Sequence, residues 1–300
     1  MKALITGATG FIGRHLTRHL VSADWQVHAI VRPESHRTVL PDTAAVRLHE
    51  HTGSTESMQA IVAEAQPDVV FHLASLFLSD HQPADIGRLV QNNLLFGTQV
   101  VEAMTLHGAT ALVNTGTSWQ HYEGRDYSPV NLYAATKQAF EDLLQYYVEA
   151  RGLRVITLKL YDTYGPDDPR PKLINLLRRV AAENQPLSMS PGEQLLDLVH
   201  VDDVTRAFIV AGERLLGGDT AGHERYAVSS GTLLSLKRVV EEYELALGRR
   251  LPIDWGGRSY RAREVMAPWI GAALPGWKPK VTLPQGIVGL DFLIEREHQC

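Results

Sequence analysis

Along the first two thirds of the chain, short apolar runs rich in β-branched residues alternate with longer stretches whose apolar positions recur every three or four residues. The runs are "KALIT", "QVHAIV", "AVRLHE", "DVVFHLA", "TALVNT" and "RVITLKL", the last ending at Leu160. Between them the spacing predicts helices over Phe11–Ser22, Thr55–Ala65, Asp85–His107 and Leu132–Ala150. Strands that are apolar on both faces belong to a parallel sheet, because each crossover lays a helix over one face or the other. The pattern predicts an α/β fold, a doubly wound parallel sheet, over residues 1–165.

From about Asp162 the rhythm breaks. Prolines and glycines thicken in "YGPDDPRP", "SPGEQ" and "WGG", and helices over Lys172–Glu183 and Leu236–Leu247 come without regular strands between them. Residues 166–300 therefore read as a smaller, mainly substrate-binding cap domain with some segments returning to the sheet.

Composition narrows the function. A net charge of -5, with no block of like charges, gives no electrostatic reason to expect nucleic acid or an anionic membrane surface. Cys300 is the only cysteine, which leaves no disulfide framework or cysteine-held metal and suits a reducing cytoplasm. The start "MKALITGATG" reaches glycines too soon for a secretory apolar segment, and no apolar run is long enough to span a bilayer. His15 and His19 share a helix face, but no third ligand at metal spacing accompanies them, so they read as a surface pair; His72 reads as a satisfied core imidazole. A small-molecule enzyme without a metal is the expectation.

"TGATGFIG" follows the first strand and opens the first helix. Gly7, Gly10 and Gly13 allow a tight turn and close backbone approach to a pyrophosphate, while the helix start offers free N–H groups and a positive dipole end. This is the Rossmann-type phosphate loop, with Thr9, Phe11 and Ile12 as its other contacts, and Leu73 and Ala74 facing it from the fourth strand's end. The second strand ends in "IVRPESHR", with no carboxylate to meet a ribose 2′-hydroxyl. Arg32, with Ser35 or Arg37 nearby, suits a 2′-phosphate, so NADP is preferred and NAD remains possible; the alternative is a solvated arginine.

Tyr133 and Lys137 in "YAATK" lie one helical turn apart. Such a pair is ordinarily amphipathic surface, but beside a phosphate loop it can move a proton. Lowering a tyrosine by about three units takes about 4 kcal/mol, a task for a close ammonium and a positive nicotinamide.

"TGATGFIG", "PDVVFHLAS", "YAATK", "YGPDDP" and "DLVHVDDV" together resemble the extended short-chain dehydrogenase/reductases, the NAD(P)-dependent epimerase/dehydratase family acting on nucleotide sugars. The resemblance covers nearly the whole chain. "NTGTSWQHY" and "LSMSPGEQLLDLVHVDDV" look most like its members that reduce a nucleotide-linked 4-keto-6-deoxy sugar. It implies Tyr133 as the proton-exchanging residue, Lys137 holding the nicotinamide ribose, and a catalytic Ser118, with Thr117 its neighbour and competitor. It also implies a homodimer through the helices of Asp85–His107 and Leu132–Ala150. Where the family's dehydratases carry an acid pair, this chain has Trp119 and Gln120, neither of which ionises usefully, so elimination of water is disfavoured. Trp119 and Gln120 either meet the sugar or close the loop, and Arg170 and Lys172 either meet the substrate's diphosphate or begin a helix. In the motif "DLVHVDDV", Asp202 or Asp203 is expected to cap the following helix, a structural role.

Three positions depart from the family's pattern: His51 and Leu196 stand where an aspartate and an arginine are usual, and Asn93 lies one residue further than usual from Gly97 and Thr98.

Overall fold

The computed structural model describes residues 1–297, of which 291–297 in backbone only; Cys300 lies outside the described residues. The chain runs β1 (Lys2–Thr6), α1 (Phe11–Ser22), β2 (Gln26–Val31), β3 (Val46–Glu50), α2 (Thr55–Ala65) and β4 (Val69–His72). Then come α3 (Ile86–Val90), α4 (Phe96–Leu106), β5 (Ala111–Thr117), α5 (Leu132–Arg151) and β6 (Arg154–Leu160). These strands join β10 (His223–Val228) in one parallel sheet of order β3-β2-β1-β4-β5-β6-β10, the doubly wound arrangement expected. Apolar side chains pack on both faces, one layer with Leu16, Phe208 and Leu215, the other with Met58, Met104 and Leu144.

The remaining elements form a second packed region. They are β7 (Asp162–Tyr164), α6 (Leu173–Glu183), β8 (Leu187–Met189), β9 (Leu195–His200), β11 (Leu233–Ser235), α8 (Leu236–Leu247), β12 (Ile253–Trp255) and α9 (Leu283–Glu297). Two small sheets, β11-β9-β7 and β12-β8, close over their own core around Leu177, Val239 and Tyr243. Between β9 and β10, α7 (Val201–Gly217) returns to lie on the large sheet against α1.

One helix was expected over Asp85–His107. The structure inserts a π-turn, Gln91–Leu95, between α3 and α4. A π-turn takes up one extra residue, which accounts for the displacement of Asn93 noticed in the sequence. Asn93 is buried there: Oδ1 accepts from Leu76 N (2.8 Å) and Ser75 Oγ (3.1 Å), and Nδ2 donates to Thr136 Oγ1 (2.9 Å).

Two further expectations change. His15 and His19 are not a surface pair: His15 is buried with Nε2 on Pro166 O (3.1 Å), and His19 Nδ1 meets Thr205 Oγ1 (2.8 Å), so together they fix α1 to the segment after β7 and to α7. The side chain that caps α7 is His200, not an aspartate. Asp203 is wholly buried and accepts from Lys280 N and Val281 N, both at 2.9 Å, which ties the chain before α9 to α7.

Candidate active site

The β1–α1 turn is shaped by close approach. Gly7 sits at φ +71°, and a Cβ on it would lie 2.7 Å from Ala74 N; one on Gly13 would lie 2.8 Å from Ala8 Cα. Thr6 Oγ1 accepts from Ala74 N (3.1 Å) and meets His72 Nδ1 (2.9 Å), tying the turn to the end of β4, where Leu73 N also donates to Thr6 O (3.2 Å). Burial drives His72 down to about 3, so it is neutral and structural, as read from sequence.

Helix α1 begins behind Gly10 with no side-chain cap and no acid in its first turn. Its leading N–H groups and positive dipole end are thus left for an external anion. Arg14, next after Gly13, has Nε and Nη2 buried without a hydrogen-bond partner among the described residues, at the same helix start. These features fit a dinucleotide's diphosphate, with Thr9, Gly10, Phe11 and Ile12 along the turn. At the end of β2, Arg32 is exposed; it pairs with Glu34 (3.1 Å), and its N–H bonds Ser35 Oγ (3.0 Å). Arg37 is engaged by Glu50. His51 is buried, its ring edge-on to Phe96.

Ser118 opens a short 3₁₀ turn, Ser118–Gln120, directly after β5. Tyr133 and Lys137 occupy the first two turns of α5, whose start is capped by Asn131 Oδ1 accepting from Ala134 N (3.0 Å). Asn131 Nδ2 donates to Leu78 O and Ser79 O (3.2 and 3.0 Å), which draws the segment after β4 over the helix start. A cavity of about 680 Å³ opens between the two regions, walled by Ser118, Trp119, Phe77, Arg170, Lys172 and Arg263 among others.

Phe77 closes the floor of this cavity. Its ring stands edge-on to Tyr133 at 5.0 Å and beside Trp119 at 5.7 Å, and Lys172 Nζ lies 4.5 Å above it. Tyr133 itself is buried.

Burial pushes the Tyr133 hydroxyl up to about 12, offset only in part by a hydrogen bond with Ser75 and the charge of Arg170. The lowering expected from the sequence requires a positive nicotinamide as well as Lys137. In the free chain desolvation outweighs the nearby cations, and Tyr133 holds its proton across the physiological range. Burial drives Lys137 down to about 8, with Glu141 opposing and Lys159 adding to the effect.

Of the two readings left open for Gln120, the structure shows the one that closes the loop. Gln120 is wholly buried, its amide donating to Glu141 Oε1 and Gln138 Oε1 (both 2.8 Å) and accepting from Thr117 N (3.0 Å). An amide buried beside a buried carboxylate satisfies it, which outweighs any pull towards the cavity. Thr117 caps the same turn, Oγ1 accepting from Trp119 N (3.3 Å). Trp119 does line the cavity. Arg170 and Lys172 line it also, yet both are partly engaged: Arg170 with Asp168 (2.7 Å), Thr163 O (2.8 Å) and the Phe11 ring, Lys172 with Asp162 (3.3 Å).

Ser75 and Phe77 were not singled out from the sequence. Their signal was the run "FHLASLFLSD", which keeps large apolar residues beyond the end of β4, where a solvated loop has no use for them.

A glycine-cradled helix start at one strand end, next to a cavity lined by Ser118 and to the buried Tyr133 and Lys137 of α5, fits a dinucleotide-dependent enzyme on a doubly wound sheet. Residues 3–224 match the NAD dependent epimerase/dehydratase family, and the chain belongs to it. Among curated relatives, it is 28% identical over 278 residues to CDP-abequose synthase of Yersinia pseudotuberculosis, covering 89% of this chain and 92% of that one. It is 27% identical to UDP-glucose 4-epimerase of Mycolicibacterium smegmatis, covering 96% of each. Among solved structures, UDP-glucose 4-epimerase of Thermus thermophilus in complex with NAD superposes with a TM-score of 0.81 at 23% identity, over 96% of this chain and 97% of that one. Among the described residues no helix is long and apolar enough to cross a membrane.

Proposed function

We propose that the protein reduces the keto group of a nucleotide-diphosphate 4-keto-6-deoxyhexose, with NADPH as the preferred reductant and NADH possible. The observation that carries this reading is the Ser118 turn. Ser118 and Trp119 face the cavity, Gln120 turns away into the interior, and the adjacent Tyr133 holds its proton. Such a site has a proton to give and no ionisable group on the turn for elimination of water. The relationship to CDP-abequose synthase supports the substrate class.

When bound, a reduced nicotinamide would supply the hydride taken up by the carbonyl carbon. Tyr133 gives its hydroxyl proton to the carbonyl oxygen as that oxygen becomes negative, and Ser118 donates a hydrogen bond to the same atom. Lys137, charged below about pH 8, stabilises the tyrosinate that is left. Arg32 is exposed at the end of β2, where a 2′-phosphate would need a guanidinium. Arg170, Lys172 and Trp119 would meet the sugar nucleotide. A homodimer is proposed through α4 and α5; the exposed Leu143 and Tyr146 on α5 support it. A cytoplasmic location is proposed with it.

The test is a panel of CDP-, dTDP-, GDP- and UDP-4-keto-6-deoxy sugars with NADPH and NADH, followed at the reduced-nicotinamide absorbance. Stoichiometric oxidation with one member is expected. The epimerase relationship supplies a second reading, in which the hydride returns to the other face of the sugar and no net redox occurs. Tightly held nicotinamide, with sugar inversion and no consumption of added NADPH, would establish that reading instead.

A further inference from the structure

Behind the Ser118 turn lies a layer of charge that the proposed reaction does not use. Glu141, on α5 one turn beyond Lys137, is wholly buried. Its Oε1 accepts from Lys159 Nζ (2.7 Å) and Gln120 Nε2 (2.8 Å), and its Oε2 accepts from Arg225 Nε (3.2 Å). The donors come from β6, the Ser118 turn and β10, so one carboxylate joins three segments to the helix that carries Tyr133 and Lys137. Gly116 makes room for this: a Cβ there would lie 2.8 Å from Lys159 Cδ and 3.1 Å from Gln120 Oε1.

A buried ion pair adds little net stability over apolar side chains of the same shape, but it fixes where its members sit. Here the members include the residue two positions after Ser118. The charged groups around Glu141 are Lys137 and Asp142 on α5, Lys159 on β6 and Arg225 on β10. His223, also on β10, is driven down to about 4 by burial and stays neutral at working pH. Lys137 therefore feels the attraction of Glu141, one turn along α5, and the repulsion of Lys159.

We propose that Glu141 is a positioning residue: through Gln120 it holds the Ser118 turn against α5, and it keeps the Lys137 ammonium charged against the repulsion of Lys159. This rests on the reading of Ser118 and Lys137 as reaction groups, but half of it can be measured without substrate.

The first experiment follows the titration of Lys137 by NMR in cofactor-free protein labelled at the lysine ε-carbons, with Lys137→Met to assign the signal. Glu141→Gln lowers its midpoint by about one unit, Lys159→Met raises it by a similar amount, and the double variant returns it near the native value. A midpoint unmoved in all of them overturns the electrostatic half, whatever the substrate proves to be. Should Glu141→Gln fail to fold alone, the double variant is compared with Lys159→Met: a midpoint no lower in the double variant overturns the electrostatic half.

The second experiment uses Gln120→Leu with the sugar found in the panel. It lowers kcat at least tenfold, leaves KM within about twofold, and does not move the Lys137 midpoint. An unchanged kcat overturns the link to Ser118, while a panel without any turnover counts against the reductase reading and leaves the lysine titration standing.

Discussion

The two halves of the site are built from different materials. At the end of β1 the chain offers backbone: a turn too tight for a Cβ at Gly7 or Gly13, and a helix start without a cap. Beyond the ends of β4 and β5 and on α5 it offers side chains, Phe77, Ser118, Tyr133 and Lys137, brought from distant positions, with a buried layer behind the Ser118 turn. A site made of backbone is fixed by what is missing from it, so any added atom disturbs it. A site made of side chains is fixed by its neighbours, so it can be altered one group at a time.

The largest effect is expected on the side-chain half. Tyr133→Phe keeps the ring against Phe77 but removes the proton, so kcat should fall by roughly 10³-fold while cofactor binding, read by fluorescence titration, stays within about twofold. Near-normal turnover would remove Tyr133 from the mechanism.

On the backbone half, Gly13→Ala should weaken cofactor binding about a hundredfold, since its Cβ meets the backbone of the Gly7 turn and must widen it. The turn belongs to the core of the sheet, so thermal stability should fall with it, by about 2–4 °C for each kcal/mol lost. Full affinity in this variant would mean that the turn is not the cradle. A smaller effect belongs to Arg32→Glu, expected to shift preference from NADPH towards NADH about tenfold with little change in stability, because the side chain is exposed.

The same contrast governs how much could be read from the sequence. The strand ends and glycine spacing of the backbone half are local, and α1, β2, α2 and β6 fall where periodicity puts them. The side-chain half depends on which way each residue turns after β5. Trp119 and Gln120 are neighbours in sequence, yet one walls the cavity and the other satisfies Glu141, twenty-one positions away. No local pattern carries that information. Likewise Tyr133 is buried against Phe77, which comes from a different segment, and the spacing to Lys137 carries no sign of that burial. Asn93 was legible only as an offset; the π-turn is its physical meaning.

The smallest effect is the one that most sharpens the contrast. Phe77 makes no hydrogen bond in the proposed reaction, but its ring stands edge-on to Tyr133 and tilted beside Trp119, under Lys172. Aromatic contacts of this kind are worth about 0.5–1.5 kcal/mol each beyond the area they bury, so Phe77→Ala should raise KM for the sugar by a factor of about 3–10. The variant should also admit water to the Tyr133 hydroxyl. Because burial is what raises that group to about 12, its ultraviolet titration midpoint should move down, towards the ordinary tyrosine value. Neither quantity moves if Phe77 is merely an exposed apolar side chain. A lowered midpoint with unchanged KM would keep Phe77 as the cover of the proton donor but take it out of the sugar's surroundings.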